Sequence, residues 1–225
     1  MKYIHKSSEP KSLFTLRNLR SEKFNPSFDK LPPNVYYDII ASLLRDQGFL
    51  CCYTMNEISP ETAELVHFHP RTYFKEEELD FRNMFLAYKY PDMVTGEQRI
   101  GQASKGDALI PNYISDKRCA SYFRYNTLGE ILPAGTFRTL KKCRDNFRKM
   151  TPEQQTVLST IEVLNLNADR LKEQRKAILT QIAALARKYG KSQIQEIAHK
   201  LKKRDANGKF KRFCEVMIYY LENVA

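Results

Sequence analysis

The sequence predicts an α+β protein, mostly helical, and three observations carry that expectation. Apolar residues recur at helical spacing in three separate stretches: Val35, Ile39, Ile40, Leu43 and Leu44; then Leu171, Ile178, Leu179, Ile182 and Leu185; then Ile194, Ile197, Ala198 and Leu201. Two short runs, 49–55 and 65–69, are instead rich in aromatic and apolar residues and bounded by Gly48 and Pro70, as strands are. At 225 residues, 42% hydrophobic and 28% charged, the chain is long enough to bury a proper core.

Residues 1–34 read as an N-terminal arm, extended over its first thirty residues, because Pro10, Pro26, Pro32 and Pro33 interrupt any long helix. Asn34 is placed to cap a helix that runs to about Gln47 and ends at Gly48. The 49–55 and 65–69 runs are expected to pair as a hairpin, the second stopped by Pro70. Leu79-Asp80-Phe81-Arg82-Asn83-Met84-Phe85-Leu86 leads into an expected short helix, and 90–105, rich in Pro, Asp, Gly and Gln, is expected to be a loop. At Thr151-Pro152 the pattern changes to a capped helix start with Pro at the first helical position. The amphipathic helix after it ends at Gly190, Ser192 opens another, 202–208 is a basic turn, and a last helix bears Phe210, Phe213, Val216, Met217, Tyr220 and Leu221. The expected division is therefore 1–34, 35–150 and 151–225.

Charge is unevenly spread. The formal net charge is +11, and residues 168–225 hold 14 Lys or Arg against six Asp or Glu, which is +8 of that total. Such a concentration suits a nucleic-acid backbone or an acidic partner, or else forms solvated helix faces. Lys202, Lys203, Arg204, Lys209, Lys211 and Arg212, with Lys105 further upstream, are the candidate phosphate contacts. Tyr122, Phe123, Tyr125 and Phe137, interleaved with Arg124 and Arg138, either stack on bases or pack the core. The five cysteines, Cys51, Cys52, Cys119, Cys143 and Cys214, lack framework spacing, which suits a reducing cytoplasm. No apolar run approaches the ~20 residues of a membrane span, and the first residues lack the apolar stretch of a secretory signal.

A series of short motifs resembles one family. Lys6-Ser7-Ser8-Glu9-Pro10-Lys11-Ser12-Leu13, Gln47-Gly48-Phe49-Leu50-Cys51-Cys52-Tyr53, His67-Phe68-His69-Pro70, Leu79-Asp80-Phe81-Arg82-Asn83 and Ser104-Lys105-Gly106-Asp107 occur in that order. They are joined by Ile161-Glu162-Val163-Leu164-Asn165-Leu166-Asn167 with Leu171 and Arg175. Their order and spacing resemble the HNH-type nuclease subunit of Septu-like anti-phage systems (PtuB-like), which also occurs beside some retrons. The resemblance implies a small ββα-metal core at about 35–115, embedded in a mostly helical protein. It also implies a partner ATPase of the AAA, ABC or SMC-like type in a hetero-oligomer, and DNA or RNA as the object.

In such a site a strand-end His activates water, while a divalent ion held by a neighbouring acid and a further ligand, Asp or Asn, on the following helix stabilises the phosphorane. The resemblance makes His67 the general base and Asn83 its bracing partner. The acid expected before that His is Val66 here, and the helix ligand falls at Gln102, whose neutral amide is a weak ligand for a hard ion. Of four positions that hold structural zinc in many members, only Cys51 remains. The others fall at Thr54, about Tyr88 and Gly101, and one thiolate does not hold tetrahedral zinc. His69, two residues from His67, is the one candidate replacement ligand, with Asp80 or Asp107, for a borderline metal. It is otherwise a tolerant position before Pro70. The expected function is thus a defence subunit derived from an HNH endonuclease, acting as a pseudo-nuclease or nucleic-acid binder. The alternatives are an active metal-dependent endonuclease using His67, and a basic nucleic-acid-binding module with no nuclease ancestry. Asn165 and Asn167 are expected to bond loop or helix-end backbone.

Overall fold

The structure, a computed structural model, describes residues 1–21, 24–90 and 98–223. It is a mixed α+β protein, about 49% helical, with two small antiparallel sheets. The expected arm is not extended. Pro10 opens a helix, α1 (Lys11–Asn18), which buries Leu13 and Leu16. A short 3-10 turn comes next at Phe28–Lys30. Helix α2 (Pro33–Gln47) then buries the predicted face of Val35, Ile39, Ile40, Leu43 and Leu44. Pro32 and not Asn34 stands at its start, so the Asn34 side chain caps nothing. Its end is as expected: Gly48 adopts φ 56°, where a side chain is strained, and a Cβ there would run into the Phe210 ring.

The 49–55 run is not a strand. Phe49 and Met55 share Gly48's left-handed conformation, each at φ 60°, and the chain doubles back so that Cys51 N–H donates to Asn56 O at 2.8 Å. Strand β1 (Ala63–His67) therefore pairs elsewhere, with β2 (Met84–Tyr88), in a register that sets His67 opposite Met84. Met84, Phe85 and Leu86, expected in a helix, form this strand. The reason is burial on both faces: Met84 to Ala87 are all enclosed, so the run lacks the polar alternation that marks a half-buried strand. The middle of the loop expected over 90–105 lies outside the described residues, at 91–97. Its end forms α3 (Gln102–Lys105). A second sheet, β3 (Phe123–Tyr125) with β4 (Ile131–Pro133), has only three residues per strand and left no periodic signal. Tyr122, Phe123 and Tyr125 are buried there and pack the core instead of offering faces to bases.

Five more α-helices follow among the described residues: α4 (Leu140–Asp145), α5 (Pro152–Val163), α6 (Asp169–Ala186), α7 (Lys191–Leu201) and α8 (Cys214–Asn223). Thr151 caps α5 as expected, its hydroxyl accepting from Gln154 N–H while the Gln154 side chain accepts from Thr151 N–H. The main apolar core draws on all three stretches of the chain, from Leu13 through Leu43, Phe85 and Leu171 to Phe213 and Leu221. All five cysteines are buried and unpaired. Among the described residues, no helix is long and apolar enough to cross a membrane.

Two side chains tie these parts together. Gln47 donates to Leu86 O at 2.8 Å and accepts from Leu86 N–H at 2.7 Å, taking the place of a further strand beside β2. Asn167 does the same for Ile131, at 2.9 Å in both directions. Replacing Gln47 by Leu strands the buried Leu86 N–H and the Leu50 carbonyl. Urea denaturation should show a loss of about 2–3 kcal/mol with an unchanged slope, whereas Asn34→Ala should stay within about 0.5 kcal/mol of the parent.

Candidate functional site

His67 is the last residue of β1, and the turn beyond it fixes its surroundings. Phe68 N–H donates to Asn83 O at 2.8 Å, and the Asn83 carboxamide then brackets His69, accepting from its N–H at 2.7 Å and donating to its carbonyl at 3.0 Å. Asn83 thus braces the turn after the strand and does not bond the His67 ring. The ring is oriented by other groups. Its Nε2–H donates to Glu78 O at 2.9 Å, and it meets the Phe28 ring in a T-shaped contact at 4.6 Å. A carbonyl only accepts, so Nε2 carries the proton and Nδ1 keeps the lone pair in the neutral ring. Burial lowers the pKa of His67 below its usual 6.5, and the Glu78 carbonyl opposes that only in part. A neutral imidazole is the form a general base requires.

His67 lines a cleft of about 470 Å³ together with Val66, Gln102, Asp29, Arg71, Lys75 and Asp107. The two positions where the resemblance expects metal ligands, Val66 and Gln102, therefore share one cleft with the His. Gln102 uses its amide within the protein, accepting from Tyr53 OH at 3.4 Å and donating to Gly106 O at 3.3 Å. His69 does not join His67. Beyond the strand end its Nδ1 pairs with Glu77 at 2.8 Å and its ring lies 4.9 Å from Phe74. Asp80 is spent on a turn, accepting from Arg82 N–H at 2.8 Å. Among the described residues no three His, Cys, Asp or Glu side chains are grouped to hold a metal ion.

A second cluster gathers positions far apart in sequence. The Cys51 thiol is hydrogen-bonded by Thr54 and by the Tyr88 backbone, and a Cβ on Gly101 would lie 3.9 Å from the Thr54 methyl. Burial pushes this thiol up, but hydrogen bonds from Cys52, Thr54 and Tyr88 outweigh it and hold Cys51 at about 6. Cys52 behind it is pushed well up by burial and by its neighbour.

The basic residues expected to grip phosphates are mostly engaged in holding the fold. Lys105 is only 3% exposed; its ammonium sits 5.8 Å from the Phe68 ring centre and has no hydrogen-bond partner among the described residues. Desolvation lowers its pKa. Arg204 donates to Arg45 O at 2.5 Å and Asp46 O at 2.9 Å, a cation on the C-terminal carbonyls of α2. Arg212 clamps Asn56 Oδ1 at 2.6 and 2.9 Å, Lys209 pairs with Glu57 at 3.2 Å, and Lys202 with Glu222 at 2.6 Å. Lys203 and Lys211 are exposed and make no ion pair among the described residues. The cleft cations Arg71 and Lys75, four and eight residues past His67, carried no signal beyond that closeness.

No family model matches the chain, and a comparison with curated proteins returns no match.

Two measurements check this geometry. In an NMR titration the His67 ring should remain neutral below pH 6.5; because the unfolded chain takes up this proton first, the stability it contributes is present above pH 6.5 and is lost as pH falls toward the native value. Lys105→Met should keep or raise the melting temperature and leave affinity for single-stranded DNA unchanged, since no solvent-facing charge is removed.

Proposed function

We propose that this chain is a nuclease-derived subunit that binds nucleic acid at the His67 cleft without metal-dependent cutting. The observation that carries this reading is spatial: residues joined only by motif order fall together in the fold. Val66, His67 and Gln102 line one cleft, and Thr54 adjoins both Gly101 and Cys51, the latter also bonded by the Tyr88 backbone. Chance motif likeness gives no reason for Val66 to converge with Gln102, or Thr54 with Gly101, across such stretches of chain. The strand pair β1–β2 with α3 beside the His supports a ββα-metal-like ancestry on the same ground. The anti-phage setting and the ATPase partner come with the resemblance and stand as part of this proposal.

The departures support the non-cutting version. Phosphodiester hydrolysis of this type needs a base and an ion whose charge stabilises the phosphorane. His67 has the protonation state of the base. Where the ion's ligands are expected stand an apolar Val66 and a neutral Gln102 engaged with Tyr53 and Gly106. Arg71 and Lys75 remain in the cleft as charges suited to a phosphate backbone.

The test uses the full chain with labelled DNA and RNA in Mg²⁺, Mn²⁺ or Zn²⁺, with and without a co-encoded ATPase, beside His67→Ala. Binding should weaken steeply with salt and no cleavage should occur. Cleavage that disappears in His67→Ala would overturn the non-cutting reading in favour of an active enzyme.

A further inference from the structure

We propose that Arg71 and Lys75 form a phosphate subsite of the His67 cleft, and that Asp29 occupies it as an internal anion until a nucleic-acid phosphate displaces it. This rests on the nucleic-acid reading above and names how that cleft is regulated.

Two cations and two carboxylates meet here, and they are not equivalent. Glu78 is the fixed partner: its carboxylate is 11% exposed, 2.8 Å from Lys75 Nζ and 3.9 Å from Arg71 Nη1. Asp29 is the exchangeable one. It is 65% exposed, yet its two oxygens reach both cations, Oδ1 to Arg71 at 2.7 Å and Oδ2 to Lys75 at 3.8 Å. Among these four ion-paired groups Glu78 neutralises one charge and one positive charge is left for a removable anion; Glu64 and Asp107 also line the cleft. A phosphate diester carries that single charge and offers oxygens for bidentate binding to the guanidinium.

Asp29 arrives from 42 residues upstream of Arg71, on the turn Phe28–Lys30, which has no fully buried residue. The same turn covers the His. The Phe28 ring stands 4.6 Å from the His67 ring centre, and the Arg71 guanidinium lies 4.6 Å over the Phe28 ring. Displacing Asp29 therefore removes one of the ties that hold Phe28 over His67, the Arg71 contact and packing against the main core being the others. Pro26 precedes this turn, and Pro32 and Pro33 open α2 just after it, so the turn lies outside both helices. Exposed ion pairs are weak and screened by salt, which makes the exchange feasible for a polyanion.

The test compares Asp29→Asn with wild type and with Asp169→Asn, a matched loss of an exposed, ion-paired carboxylate on α6. Affinity for fluorescein-labelled single-stranded DNA is read by anisotropy over a salt series, and inorganic pyrophosphate binding by thermal shift. Asp29→Asn should bind DNA about three- to tenfold more tightly than wild type, Asp169→Asn should not, and Lys75→Gln or Arg71→Gln should weaken binding and abolish the gain from Asp29→Asn. Melting curves check that each variant folds, and the two cation variants serve as independent replacements for one another. Equal affinity of Asp29→Asn, Asp169→Asn and wild type, with wild-type binding intact, overturns the subsite and leaves the nucleic-acid reading standing. No DNA binding by any variant, with pyrophosphate still held more tightly by Asp29→Asn, sinks that reading and supports the subsite. No response of either probe to Asp29→Asn overturns the subsite.

Discussion

Three carboxamides, Gln47, Asn83 and Asn167, each grip both the N–H and the carbonyl of one distant residue: Leu86, His69 and Ile131. This is the pairing a neighbouring antiparallel strand would make, supplied by a side chain. The fold depends on it because its sheets are only two strands wide, and such ribbons are marginal on their own. Leu86 and Ile131, on the edges so closed, are buried, and unpaired backbone groups there are costly. A carboxamide carries one acceptor and one donor group at the spacing of a peptide bond, so it closes an edge without a third strand.

The same logic joins the helical half to the rest. Between α5 and α6 the chain turns through Asn165 at φ 46°, and that turn is bonded on several sides. Gly101 N–H donates to Leu164 O at 2.9 Å, Ser104 to Val163 O at 2.8 Å, and Asn165 to Arg99 O at 2.9 Å. Arg175, 2% exposed, donates to Gly129 O at 2.6 Å, Leu166 O at 2.7 Å and Asn167 Oδ1 at 3.1 Å. Among the described residues it forms no salt bridge, and burial pulls its pKa down to about 10 against the opposing pull of Tyr125 and Glu130. Gly129 must be a glycine here, since at φ 76° a Cβ would run into the Lys172 carbonyl. The turn thus fixes α3, and with it Gln102, against the His67 cleft.

Within the cleft the division of labour is plain. Backbone and carboxamide bonds fix where the strand ends, a carbonyl fixes the His67 tautomer, and burial keeps the ring neutral. The cleft's cations are Arg71 and Lys75, which come from outside the basic C-terminal quarter and sit beside Asp29, Glu64 and Asp107. There Arg204, Lys209 and Arg212 are consumed in tying the 202–213 segment to the end of α2 and to the 49–57 loop.

What the sequence determined by itself was set by local rules. The face of α2 and its end at Gly48, the capped start at Thr151, the faces of α6 and α7 and the strand leading to His67 each arise from periodicity or from one residue's backbone preference, whereas the last helix begins only at Cys214, after the expected Phe210 and a left-handed Phe213. The order of motifs around His67 was legible too, as were the backbone roles of Asn165 and Asn167. Tertiary structure decided the rest. Burial on both faces made β2 a strand, left-handed residues made 49–55 a loop, and long-range carbonyls turned surface-like cations into internal ties. Phe28 and Asp29 reach His67 and Arg71 only because the arm folds back, the Asp29–Arg71 pair alone spanning 42 residues of chain. No local pattern encodes a contact whose two halves are stabilised by each other's presence.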